Sequence, residues 1–143
     1  MASIKRSALV QYSADQMFDL VNDIEKYPEF MSGCEEAVVI SKSDESIVGK
    51  LRLSRAGLKQ EFTTKNWLDR PSLIEMELVE GKFKSFNARW SFEKLSEDAC
   101  KVALSMEFEV DSFLVDAAAE KLLTSSANNL VDQIVTRAKE TYG

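Results

Sequence analysis

The spacing of apolar residues changes twice along the chain, and each change marks a change of structure. Ile4-Lys5-Arg6-Ser7-Ala8-Leu9-Val10 reads as a first strand. Ser13-Ala14-Asp15-Gln16 then has the form of a capping box, serine at the N-cap and glutamine three residues on. Met17, Phe18, Leu20, Val21 and Ile24 follow at helical spacing. Lys26-Tyr27-Pro28 ends that helix, because the residue before a proline avoids the helical region. The stretch from Tyr27 to Cys34 reads as a second short helix or turn, and it is unusually aromatic and apolar for a connector.

From residue 36 to 110 the period becomes two, the signature of strands with one buried face. Ala37 to Ile40 forms a strand core that ends at Ser43-Asp44-Glu45. Ile47, Gly49, Leu51 and Leu53 alternate with Val48, Lys50, Arg52 and Ser54. Arg55-Ala56-Gly57 turns the chain, and Leu58, Phe62 and Leu68 then oppose Lys59, Glu61, Thr63 and Lys65. After Asp69-Arg70-Pro71-Ser72, Ile74, Met76 and Leu78 face away from Glu75 and Glu77, and Glu80-Gly81-Lys82 closes that strand. Phe86, Ala88, Trp90 and Phe92 form the next inner face. Val102, Leu104, Met106, Phe108 and Val110 form the last, after Ser96-Glu97-Asp98. Six successive antiparallel strands, apolar on one face and charged on the other, describe a sheet covered on one side.

Residues 112–142 return to a period of 3.6. Val115, Ala119, Leu122, Leu123, Ser126, Ala127, Leu130, Val131, Ile134, Val135 and Ala138 make a broad stripe. Ser112 is the expected cap, with Asp116 and Glu120 in the early turns and Arg137 and Lys139 near the end, as the helix dipole prefers. About 28 residues at ~1.5 Å each give a helix of roughly 40 Å. Strands of about ten residues span ~33 Å, so one helix can cover them. The expected class is α+β in a helix-grip arrangement: a curved antiparallel sheet around a long C-terminal helix, with two short helices between strands one and two. With no repeat, low-complexity tract or linker, residues 1–143 are expected to be a single domain.

The middle of the long helix is small and polar, with Ala117-Ala118-Ala119 and then Thr124-Ser125-Ser126-Ala127-Asn128-Asn129. The facing strands carry Phe62, Phe86, Trp90, Phe92, Met106 and Phe108. Such surfaces either interdigitate tightly or leave an apolar cavity fit for a lipid-like ligand. The pattern leaves both open.

Composition narrows the chemistry. The 143 residues contain no histidine, which removes Ser-His-Asp and Cys-His catalysis and imidazole metal ligands. The strand acids Glu61, Glu75, Glu77, Glu107 and Glu109 all fall on the solvent side, where no pre-organised site surrounds a substrate. A binding protein is therefore expected rather than an enzyme, with no catalytic residues and no metal. Cys34 and Cys100 stand alone in sequence and are expected to be buried thiols, with a lone disulfide the alternative. Nothing near the N-terminal Lys5-Arg6 resembles an apolar leader, and no run approaches a membrane span, so a cytoplasmic protein with at most peripheral membrane contact is expected.

The net charge of -6 is uneven. Residues 1–49 and 95–143 each carry -5, and residues 50–94 carry +4. An acidic whole argues against DNA. The basic middle is either a positive face or a set of lysines that protects exposed strands.

The chain resembles the coenzyme Q-binding START-like family, which also carries the polyketide cyclase/dehydrase label, and within it the RatA-like bacterial branch of ribosome-association toxins. The resemblance spans essentially the whole sequence. It rests on Ser7-Ala8-Leu9-Val10 with Tyr12-Ser13-Ala14, and on Leu20-Val21-Asn22-Asp23-Ile24 leading to Tyr27-Pro28-Glu29-Phe30 and Gly33-Cys34. Further matches are Phe62-Thr63-Thr64, Met76 to Leu78 with Val79-Glu80-Gly81, Phe83, Trp90-Ser91-Phe92, Leu95, Glu97 to Cys100, Phe108-Glu109 and Arg137 to Glu140. Two positions depart from the family pattern: Lys82 where proline is usual, and Ala88 where glycine is frequent. Both are expected beside the pocket mouth.

The resemblance implies a START-like domain. Its quinone-binding members hold a polyprenyl quinone between sheet and helix and support respiration without turnover, so ubiquinone or a similar isoprenoid is the expected ligand and no cofactor is required. Leu53, Phe62, Met76, Phe86, Trp90, Met106, Phe108, Leu122, Ser126 and Leu130 are expected to line the cavity, with Tyr27, Phe30, Met31 and Phe83 gating it. The alternative implied by the resemblance is association with the large ribosomal subunit, blocking subunit joining. The candidate RNA-facing residues are then Lys50, Arg52, Arg55, Lys59 and Lys65.

Overall fold

The computed structural model describes residues 2–115 and 117–143. Seven strands form one antiparallel sheet: β1 Ala2–Val10, β2 Cys34–Lys42, β3 Ser46–Arg55, β4 Leu58–Asp69, β5 Leu73–Glu80, β6 Phe83–Ser96 and β7 Ala99–Val110. Their spatial order is β1-β7-β6-β5-β4-β3-β2. Strands β2 to β7 are thus a meander, and β1 closes its far side by pairing with β7. Between β1 and β2 lie helix α1, Ala14–Asn22, and a short 3₁₀ helix, Ile24–Glu29. Helix α2, Ala117–Tyr142, runs along the inner face of the sheet. The α+β helix-grip arrangement expected from the pattern is the one observed.

Local chemistry explains the elements. Ser13 Oγ accepts from the Gln16 N–H at 3.1 Å and the Gln16 side chain accepts from Ser13 N–H at 2.9 Å, completing the capping box. The α-helix ends at Asn22, earlier than the spacing suggested. Ile24 belongs to the 3₁₀ helix that carries Tyr27 and Pro28. Ser112 does not cap α2. The Asp111 side chain accepts from Phe113 N–H at 3.1 Å and its carbonyl accepts from Leu114 and Val115 at 2.9 Å. That separate turn consumes residues 111–115, so Val115 is buried just before a helix that starts at Ala117. Asp116, expected in the early turns, lies outside the described residues.

The core sits between sheet and α2 and continues under α1. Phe18 meets Phe92 edge-on at 5.6 Å, and Phe92 stacks on Trp90 at 6.3 Å. Arg70 lies 4.4 Å above the outer face of Phe18 and pairs with Asp19. Cys34 and Cys100 are both buried free thiols.

Candidate functional site

The sheet and helix do not fill the space between them. A void of about 50 Å³ remains, walled by Leu51 and Leu53 of β3, Phe62 of β4, Met76 of β5, Phe86 and Trp90 of β6, and Met106 and Phe108 of β7. Leu123, Ala127 and Leu130 of α2 form its opposite wall, and Tyr27, Met31 and Phe83 close one end. The small Ala127 is what keeps α2 from filling the gap. Three of the walls are methionines, whose unbranched thioethers repack easily.

Phe83 reaches the void through an irregularity in β6. Counting by twos from Phe86 would send Phe83 to the outer face. An extra residue between Phe83 and Ser85 opposite β7 reverses the alternation. Phe83 thereby meets Phe86 at 5.4 Å, Phe108 at 5.7 Å and Phe62 at 5.8 Å. Gly81 makes this cluster possible. A Cβ there would stand 2.9 Å from Phe62 Cβ and 3.1 Å from the Phe83 ring. The neighbouring departure from the family pattern, Lys82, lies exposed beside the cluster. Ala88 does not lie at the mouth as expected. It is buried in mid-sheet, paired between Met76 and Met106.

The 3₁₀ helix and the turn after it cover the cavity as a lid. Tyr27 donates its hydroxyl to the Val21 carbonyl at 2.5 Å, and Met31 N–H returns to the Tyr27 carbonyl at 2.8 Å. Burial pushes the Tyr27 hydroxyl far above the ordinary phenol range, with Cys34 and Asp23 adding to the effect. Burial likewise pushes the Cys34 thiol up to about 11. The lid is tied to α2 by Glu29–Arg137 at 2.7 Å and by Ser32 N–H to the Gln133 side chain at 3.1 Å. Arg55 to Ser32 Oγ at 2.8 Å and Ser54 N–H to the Gly33 carbonyl at 2.7 Å tie it to β3. The hydrogen bond from Arg137 holds the Glu29 carboxyl below its ordinary range.

Three residues expected at the cavity lie elsewhere. Phe30 packs on Tyr27 at 5.4 Å and beneath the Arg137 guanidinium at 5.4 Å, outside the void. Leu122 and Ser126 are buried but aimed at the Gly33 turn: a Cβ on Gly33 would come 3.1 Å from Ser126 Oγ and 3.6 Å from Leu122. The reason is helical phase. Sheet and lid enclose α2 on several sides, so its buried stripe is wider than the part facing the void, and each residue advances ~100°. Leu123 and Ala127, one position on from the expected pair, face the cavity. Leu51 also lines it, as its place in the β3 alternation with Leu53 already indicated.

Among the residues walling the void, Tyr27 alone is titratable. The strand acids Glu61, Glu75, Glu77 and Glu107 are exposed, and Glu109 is half-buried. Among the described residues no group of histidines, cysteines or carboxylates could hold a metal ion, and no helix is long and apolar enough to cross a membrane.

Lys50, Arg52, Lys59 and Lys65 fall on the opposite face of the sheet, out of phase with the cavity residues of β3 and β4. Lys50, Arg52 and Lys59 line an open groove with Lys82. The groove is not purely positive. Arg52 pairs with Glu61 at 3.1 Å and Glu36 at 3.2 Å, and Lys50 with Glu61 at 3.4 Å. The bond from Arg52 keeps the Glu61 carboxyl below its ordinary range. Arg55 is engaged at the lid, and Lys65 lies over the Trp67 ring at 4.1 Å, so neither joins the groove.

A curved sheet gripping one long helix around an apolar, nearly uncharged void defines a START-like fold. The chain belongs to the family described as polyketide cyclase / dehydrase and lipid transport, whose profile matches residues 10–135. It is 43% identical, across all of its length and 99% of the relative's, to the ribosome association toxin RatA of Vibrio cholerae. It is 27% identical, over 76% of its length and 47% of the relative's, to the mitochondrial coenzyme Q-binding protein COQ10 of Drosophila melanogaster. Among solved structures, the ZhuI aromatase/cyclase from a Streptomyces species superposes with a TM-score of 0.81 at 16% identity, covering 99% of this chain and 96% of that one. That likeness is one of fold.

Proposed function

We propose that this chain is a non-catalytic cytoplasmic binding protein whose sheet–helix cavity takes a neutral isoprenoid lipid, of which ubiquinone is the type, in support of respiratory electron transport. The observation that carries the reading is the void itself, walled by apolar side chains from five strands, α2 and the lid. At about 50 Å³ it is smaller than the ~150 Å³ hole that admits benzene. Binding therefore opens it, through Met31, Met76, Met106 and the Phe83 cluster. The Drosophila relative named for coenzyme Q binding supports the ligand class. An acid–base reaction would need a poised group, and Tyr27, the one titratable wall, is held protonated. The test is lipid extraction and native mass spectrometry of protein purified from its host, with thermal shift on added ubiquinone. Co-purified isoprenoid and a raised melting temperature are expected. Consistently empty protein that ubiquinone does not stabilise would sink the reading.

A second reading is favoured by the whole-length similarity to a ribosome association toxin: this chain associates with the large ribosomal subunit through the outer sheet face. The groove holding Lys50, Arg52, Lys59 and Lys82 is the candidate surface. RNA contact there weakens steeply with salt. Failure to co-sediment with large subunits at low salt would remove this reading. The two surfaces lie on opposite faces of one sheet, so one chain can use both.

A further inference from the structure

The cavity has a polar end that an all-apolar ligand would not require. Beneath α1, a second void of about 20 Å³ shares the walls Tyr27, Leu51, Met76 and Trp90 with the main one. Its own walls include Thr64 and Asn66, which the pleat of β4 turns inward beside Gly49 and Ile74. They are only 5% and 7% exposed. Thr64 donates its hydroxyl to Asn66 Oδ1 at 2.8 Å. In that arrangement the amide oxygen is engaged and Nδ2 is left to meet a ligand. The Asn66 Nδ2 hydrogens have no partner among the described residues, and neither does the indole N–H of Trp90, itself 2% exposed. Among the described residues, the side-chain atoms shut off completely without a partner are Asn22 Oδ1 and Ser126 Oγ; Asn66 Nδ2 and Trp90 Nε1 are not among them and stay open to an acceptor that enters the void.

Among the described residues no Lys, Arg, Asp or Glu lines either void. A carboxylate or phosphate head would lose its hydration there without gaining a counter-charge. A neutral carbonyl oxygen loses little and gains the waiting donors. We propose that Asn66, held by Thr64 and assisted by Trp90, is a carbonyl-recognising subsite: an amphiphilic ligand enters head first, its neutral carbonyl oxygen accepting from Asn66 Nδ2. The apolar tail then runs back through the main cavity past Phe86 to Phe83. This rests on the apolar-ligand reading above and adds to it the orientation of the ligand and the class of its head group.

The test is calorimetric titration of the full chain with three probes: ubiquinone-2, the head-less isoprenoid hydrocarbon myrcene, and decanoate at pH 8. Wild type is expected to bind the first two and not decanoate. Asn66→Leu should weaken ubiquinone-2 at least about tenfold, the effect of removing a hydrogen-bond donor from a site built around it, while leaving myrcene unchanged. Should Asn66→Leu fail to fold by circular dichroism, Asn66→Ala, which removes the donor without adding an ionisable group, must show the same selective loss. Equal ubiquinone-2 affinity in wild type and variant overturns the subsite and leaves the cavity reading standing. Binding of neither ubiquinone-2 nor myrcene by wild type overturns the cavity reading, and the subsite with it.

Discussion

Burial sets the chemistry of the two groups closest to the lid. Tyr27 and Cys34 are both held protonated by loss of solvent, one as the cavity's only titratable wall and the other at the start of β2. For Cys34 the folded value is about 11, against an ordinary 9. Between those values the folded chain keeps a proton that the unfolded chain has released, so folding takes up protons there. The stability this confers is complete below pH 9 and is lost as pH rises toward 11. The urea midpoint should therefore fall across that window, and Cys34→Ala should reduce the slope of the decline. It should not abolish it, because burial raises the Cys100 thiol and the Tyr27 hydroxyl as well. A wild-type midpoint that stays flat from pH 9 to 11 would contradict the assignment.

Among the elements, the lid is the one whose position rests on a few polar ties. The 3₁₀ helix covers little apolar surface of its own beyond Ile24 and Tyr27. It is held across the mouth by Glu29–Arg137 and the contacts of Ser32 and Gly33. Arg137→Ala removes an ion pair and the cover over Phe30 together. Surface pairs contribute little to global stability, so the melting temperature should scarcely move. Local opening is a different quantity. Amide exchange in residues 27–34 should quicken several-fold while exchange in β6 and β7 stays as in wild type. Equal quickening across the sheet would show that Arg137 supports the fold as a whole.

On the scale of the whole molecule, the cavity and the basic groove lie on opposite faces of one sheet, which makes their roles separable. Ala127→Leu should fill the void from the α2 side. The expected result is unliganded protein that is equally stable or more stable by about 0.5–1 kcal/mol, with quinone affinity reduced at least tenfold. Co-sedimentation with ribosomes should be unaffected. If ribosome association fell in parallel, cavity and groove would be coupled rather than separate.

What could be read in advance depended on how regular the signal was. Periods of two and 3.6 are local properties, so every strand, both α-helices and the inner faces of β3 to β7 were legible from residues alone. The aromatic and methionine walls Phe62, Met76, Phe86, Trp90, Met106 and Phe108 followed from that alternation. The Asp111 turn escaped because Ser112 looks like a cap in sequence, and only the backbone shows that residues 111–115 form a turn ahead of the helix. The exchange of Leu122 and Ser126 for Leu123 and Ala127 is a rotation of about one residue, set by how α2 lies against lid and sheet together.

By itself the sequence determined the architecture, the apolar character of the interior and the scarcity of ionisable groups within it, because hydrophobic burial and backbone hydrogen bonding follow residue order closely. Tertiary structure alone decided that the interior is incompletely filled. It also decided that an extra residue in β6 turns Phe83 inward, that Arg52 and Lys50 are paired with acids, and that Asn66, bonded to Thr64 through its amide oxygen, stands in the wall of the second void. Those outcomes depend on distances between residues far apart in the chain, which no period along the sequence encodes.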